Sequence, residues 1–122
     1  MKHPSASVRR INYLIGHLKL RSYLEVGVAR GDTFLEINTD KKYAVDPKFK
    51  FEFEKYKDQK QSFFEMPSDD FFSDHCFNLN EKFDLIFLDG LHTFEQTLRD
   101  FCSSLRFSHD ETIWLLDDTV PT

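Results

Sequence analysis

The chain has 122 residues, of which 40% are hydrophobic and 30% charged, with 14 phenylalanines and a formal net charge of −5. That length and composition fit one soluble globular domain rather than a disordered chain, and the acidic balance gives no electrostatic reason to expect a nucleic-acid partner. No apolar run is long enough to cross a bilayer, the N-terminus lacks the apolar core of a secretory signal, and Cys76 and Cys102 lack metal-ligand spacing, so a cytoplasmic chain with reduced thiols is expected.

Val8, Ile11, Ile15 and Leu18 share one helical face, which predicts an amphipathic helix over residues 5–20. A first strand follows at about 22–27, then the turn Val28-Ala29-Arg30-Gly31-Asp32. Thr33-Phe34-Leu35-Glu36 has the pattern of a capping box opening a short helix. A second strand covers 42–46, and Pro47, which has no N–H for a ladder, stops it. Lys41, Lys42, Lys48, Lys50 and Arg30 read as solvated surface charges. Residues 49–58 read as a weakly amphipathic helix, and a third strand lies at 61–66. Pro67-Ser68-Asp69-Asp70 then starts a helix with Ser68 as its N-cap.

Residues 83–89 are a near-continuous apolar run, as expected of a strand covered on both faces. Thr93-Phe94-Glu95-Gln96 is a second capping box, and Phe94, Leu98, Phe101 and Leu105 make the buried stripe of the helix it opens. A fifth strand runs over 111–117; His17, His75 and His109 read as surface residues. Strands alternating with helices imply an α/β domain with a doubly wound, mostly parallel sheet and right-handed crossovers. The sequence ends directly after the fifth strand, as a minimal version of such a domain or as a fragment of a longer one.

The strand-like runs end in acids: Glu25 and Asp46 early, Asp89, Asp117 and Asp118 late. Ligands of open α/β sheets bind outside the carboxyl ends of the strands, so these acids point to one shared site. Gly27 permits a sharp turn after the first strand, and Gly31 lets the backbone approach a ligand or the sheet. With Ala29 between them, the two glycines do not make the G-x-G-x-x-G pattern, and no Lys-Ser/Thr follows as in a phosphate-cradling loop. Nineteen residues separate Gly27 from Asp46 (46 − 27), close to the roughly 20 expected of a ribose-binding acid.

Glu25-Val26-Gly27-Val28-Ala29-Arg30-Gly31, Val45-Asp46-Pro47, Ser68-Asp69-Asp70-Phe71-Phe72 and the run from Phe83 to Phe94 resemble class I S-adenosylmethionine-dependent methyltransferases. They are most similar to the small-molecule branch, methyltransferase domain family 24, and the similarity covers roughly residues 22–122. The resemblance implies a Rossmann-like sheet in one domain spanning 1–122, with residues 1–21 as a leading helix and 22–122 as the core. It also implies that Glu25, Gly27, Ala29 and Gly31 line the methionine part of S-adenosylmethionine, that Asp46 holds the ribose, and that Ser68 and Asp69 sit by the adenine. Ser68 reads equally as a plain helix cap. Ala29 stands where the commonest family pattern has its middle glycine.

If the fourth and fifth strands are neighbours about 4.8 Å apart, Asp89, Asp117 and Asp118 converge. Such crowding favours a hard divalent cation, Mg²⁺, Ca²⁺ or Mn²⁺. The pattern is similar to catechol-type and caffeoyl-type O-methyltransferases, which implies a metal on Asp89, Asp117 and Asp118 that lowers the pKa of an acceptor hydroxyl, with Asp89 also lining the methyl end of the cofactor. A solvent-facing acidic rim, with Asp89 capping the next helix, is the alternative. His92 reads either as a general base or as a helix N-terminal residue bonded to backbone. The expected function is methyl transfer to oxygen of a small molecule or sugar, with Asp89 and His92 as catalytic candidates. A silent cofactor-binding module and a nicotinamide-dependent oxidoreductase are the alternatives, and an open flank on the fifth strand invites a homodimer.

Overall fold

The computed structural model describes residues 5–89 and 93–116. Its strands are β1 (Ser22–Val26), β2 (Lys41–Asp46), β3 (Gln61–Glu65), β4 (Leu85–Leu88) and β5 (Ile113–Leu116). They form one all-parallel sheet in the order β3-β2-β1-β4-β5, and each expected strand is present with its described ends within two residues of the sequence reading. The chain winds outward from β1 to β3, then returns to the other side of β1. That places the topological switch point between β1 and β4, where ligands of such sheets bind.

Period-2 alternation divides the side chains between two cores. On one face Leu24, Val26, Val45, Ile86 and Leu88 pack with Phe71, Phe72 and Phe107. This face is covered by α2 (Ser68–Asp70), continued by a π turn at Phe71–His75 and a 3-10 turn at Cys76–Leu79, and by α3 (Phe94–Ser104). On the other face Tyr23, Ala44, Leu85 and Phe87 pack with Ile11, Ile15 and Phe34. Here α1 (Ala6–Leu18) lies on the sheet, capped by the Ser5 hydroxyl, which accepts the Val8 N–H at 3.2 Å. Val8, Ile11 and Ile15 are buried as their spacing predicts, and Leu18 is exposed because the helix ends there, with Lys19 in the left-handed conformation.

Several local expectations are corrected. Residues 49–58 form only a 3-10 turn at Phe53–Tyr56. Their rings, Phe49, Phe51 and Phe53, instead surround Phe63 of β3 at centroid distances of 5.7, 6.1 and 5.7 Å, the first two edge-on and the third tilted, and aromatic packing of this kind outweighs a weak helical preference. Thr33 makes no side-chain cap, and its helix is a 3-10 turn at Phe34–Glu36. Pro67 stands at the cap of α2, so Ser68 lies inside the helix and its hydroxyl goes elsewhere. Lys42 is buried rather than solvated: its ammonium donates to the Phe34 carbonyl at 2.7 Å and sits 4.6 Å from the Phe34 ring.

The largest departure is the rotation of α3. Phe94, Leu98 and Leu105, expected inside, are 53%, 50% and 46% exposed, and the helix buries Thr97, Asp100 and Ser104 instead. Small polar residues allow close approach, and they find partners: Trp114 Nε1 donates to Ser104 Oγ at 2.9 Å, and Ser68 Oγ donates to Asp100 Oδ1 at 2.6 Å. The Ser68 and Ser104 hydroxyls and the Trp114 indole are thereby hydrogen-bonded, as buried polar groups generally are. His109, read as an unpartnered surface residue, lies with Nε2 2.7 Å from Asp84 Oδ1. Cys76 is buried and Cys102 exposed, both free. No helix among the described residues is long and apolar enough to cross a membrane.

Candidate cofactor site

The turn after β1 is built from three residues with positive φ, Gly27 (+92°), Ala29 (+52°) and Gly31 (+79°). Glycine adopts this region freely, whereas the alanine pays about 1–2 kcal/mol for it. The conformation is held from below by Asp46 at the end of β2. Its Oδ2 accepts the Ala29 N–H at 2.8 Å and its Oδ1 accepts the Lys48 N–H at 2.9 Å. Backbone bonds from Gly27 N–H to the Val45 carbonyl and from Lys50 N–H to the Ala29 carbonyl, both 2.9 Å, complete the frame. A carboxylate has about four lone-pair positions, so Asp46 retains capacity for two hydroxyl donors after serving the turn.

Beside this turn lies a cavity of about 200 Å³. Val26, Val45, Pro47 and Pro67 give it an apolar floor, Gly27 an open backbone edge, and Ser68, Asp69 and Gln96 a polar wall. Whole small-molecule sites run to roughly 300–1,000 Å³, so the cavity matches a ring-sized part of a ligand whose remainder extends over the turn.

The predicted residues thus fall into separate groups. Gly27, Ser68 and Asp69 share the cavity, and Asp46 and Ala29 are bonded to each other at its margin. At Gly31 a side chain would meet Phe51 at 3.0 Å and Leu35 at 3.2 Å, so the position is packed close as well as left-handed. Glu25 is 1% exposed beneath the turn, where Tyr23 donates its hydroxyl to Oε1 at 2.6 Å. Burial pushes the Glu25 carboxyl up to about 8; the charge of Asp89 adds to this, while the Tyr23 bond and the Lys42 charge oppose it.

Asp89 follows β4, and its N–H donates to the Val26 carbonyl at 2.9 Å, which sets it at the switch point. His92, Asp117 and Asp118 lie outside the described residues. Among the described residues, no three His, Cys, Asp or Glu side chains gather as a metal site. Sequence reasoning missed Gln96 as a wall residue because it was assigned to the capping box. Half of that box forms, with Thr93 Oγ1 accepting the Gln96 N–H at 3.1 Å. The Gln96 amide, however, turns to Asp100, Ser68 and Asp69. The signal for this was the small polar stripe Thr97, Asp100, Ser104 at helical spacing.

A parallel sheet wound outward from β1, with a glycine turn after β1 and an acid after β2, defines a Rossmann-like domain of the class I methyltransferase type. The family model described as a methyltransferase domain matches residues 24–119, and the chain belongs to that family. A comparison with curated proteins found no match. Among solved structures, the cofactor-bound protein Rv0187 from MTB matches with a TM-score of 0.75 at 13% identity, covering 95% of this chain and 56% of that one. A protein provisionally described as a caffeoyl-CoA O-methyltransferase, from Staphylococcus aureus, matches at 0.70 and 16% identity, covering 96% and 59%. A provisionally described hemolysin from Lactococcus lactis matches at 0.54 and 14% identity, covering 83% and 52%. At these identities the likeness is one of fold, and the chain spans little more than half the length of each.

Proposed function

We propose that the chain carries the cofactor-binding part of an S-adenosylmethionine-dependent methyltransferase that methylates oxygen of a small molecule or sugar. The observation that supports this reading is the cavity beside the Asp46-pinned turn, at the carboxyl ends of β1 and β2, in a member of a methyltransferase-domain family. The residues suit the cofactor's parts: an apolar floor for a nucleobase, acceptors at its edge, and spare lone pairs on Asp46 for two ribose hydroxyls. The cofactor, when bound, supplies an electrophilic methyl on a sulfonium. The protein's share is alignment, together with a base at the carboxyl end of β4, where the chain offers Asp89 and His92, to take the acceptor's proton.

Calorimetric titration with S-adenosylhomocysteine tests the reading, with NAD as the competing ligand. Binding of the adenosyl ligand and not of NAD is expected, and the reverse would leave the nicotinamide reading standing. Asp46→Asn keeps an acceptor for one backbone amide and should weaken binding about 10- to 100-fold, the loss of one or two hydrogen bonds to a charged group. Metal assistance through Asp89, Asp117 and Asp118 belongs to the same proposal. A rise in melting temperature with Mg²⁺ that Asp117→Ala abolishes supports it, and equal shifts in both proteins remove it. Self-association along β5 is also part of the proposal.

A further inference from the structure

Behind the polar wall of the cavity sits Asp100, 1% exposed on the inner face of α3. Its Oδ1 accepts the Ser68 hydroxyl at 2.6 Å and Gln96 Nε2 at 3.0 Å. A serine hydroxyl has one proton, so with that proton given to Asp100, Ser68 turns only lone pairs toward the cavity. The second hydrogen on Gln96 Nε2 has Ser68 Oγ and Asp69 Oδ1 within 3.4 Å. Arg99 fixes the other end of the amide, with NH1 3.4 Å from Gln96 Oε1, and lies 3.3 Å from Asp69 Oδ2. The buried Asp100 side chain therefore orients two wall side chains, Ser68 and Gln96, and with the Ser68 proton so committed, Ser68 Oγ and the Asp69 carboxylate are the acceptors left to a ligand.

We propose that Asp100 is a positioning residue that makes the wall accepting, so that the site selects a nucleobase bearing an exocyclic amino group over one bearing a keto oxygen at the same place. This inference rests on the reading of the cavity as a nucleoside site. Asp100 need not touch the ligand; it acts through Ser68 and Gln96. An asparagine at position 100 could offer its amide N–H to Ser68, free the hydroxyl proton to swing into the cavity, and so admit a keto group.

The experiment compares S-adenosylhomocysteine with S-inosylhomocysteine by calorimetry on the full chain. Wild type should prefer the amino ligand by at least about tenfold, one good hydrogen bond gained against one lost. Asp100→Asn should narrow that ratio several-fold, chiefly by improved binding of the inosyl ligand, which a merely loosened helix would not produce. Ser68→Ala, which removes the reoriented group, serves if Asp100→Asn fails to fold, and should narrow the ratio by weakening the adenosyl ligand. Unchanged ratios overturn the inference while leaving the parent reading intact, whereas failure of wild type to bind either ligand overturns the parent reading.

Discussion

Glu25 shows how one residue can be legible in sequence and still hold a surprise. An acid at the end of the first strand is expected to line a cofactor, and its side chain is buried with the Tyr23 hydroxyl donating to it at 2.6 Å. Burial raises its carboxyl to about 8, against about 4.3 in an unfolded chain. The folded protein therefore holds a proton that the unfolded chain releases from about pH 4 upward. The stability this contributes is complete below that pH and is lost as pH rises through 8. Lys42, lowered to about 8 by burial, changes charge only at the top of that window. Denaturant unfolding at pH 5, 6.5 and 8 should thus show stability falling with pH, by up to about 1.4 kcal/mol per unit. Glu25→Gln should flatten the slope, and equal slopes in the two proteins would refute the assignment.

At the scale of elements, what the sequence made legible depended on whether the signal was local. β4 reads as a buried strand from Leu85-Ile86-Phe87-Leu88 alone, and the turn after β1 from its glycines, because backbone sterics decide both. The face of α3 was not legible, since Phe94, Leu98 and Leu105 form the stronger apolar stripe, yet pairing of Asp100 with Ser68, 32 residues away, and of Ser104 with Trp114 turns the helix. The same reason hid Gln96 and Asp100 from the cavity wall, whereas Gly27 and Asp46 stand out in the sequence by their places at strand ends and Asp69 only through the family resemblance. Asp84 is a third non-local case, at the opposite end of the sheet. Its Oδ2 accepts the Arg21 and Ser22 N–H groups at 2.7 and 3.3 Å, and its Oδ1 meets His109 at 2.7 Å, joining the entries of β1, β4 and β5. Partial burial raises its pKa, but these hydrogen bonds outweigh it and leave the carboxyl below the ordinary range. Its stabilisation is therefore present at neutral pH and is lost as pH falls through the folded value. Asp84→Ala, which strands two backbone donors, should lower stability by about 1–3 kcal/mol, with the difference from wild type shrinking at acid pH. A thermal melt unaffected at pH 7 would show that the staple carries no weight.

For the whole molecule, the same rotation of α3 that builds the cavity wall leaves an apolar surface beside an edge strand. β5 is the outer strand on its side of the sheet among the described residues, and Leu116 is half exposed, as are Phe94, Leu98 and Leu105 on α3. An edge strand flanked by apolar side chains is a template for pairing with another chain, and a second copy offers the same strand and the same stripe, which a two-fold interface can match. The cavity, by contrast, lies beyond the carboxyl ends of β1 and β2, so association along β5 need not block it. Sedimentation velocity at micromolar to tens-of-micromolar concentration should therefore reveal a dimer. Leu98→Lys combined with Leu105→Lys, which places charges on the exposed stripe, should shift the protein to monomer with little change in melting temperature, because neither side chain is buried in the core. If those substitutions leave the sedimentation coefficient unchanged while a dimer persists, the contact lies elsewhere, and a monomer of wild type at tens of micromolar removes the proposal.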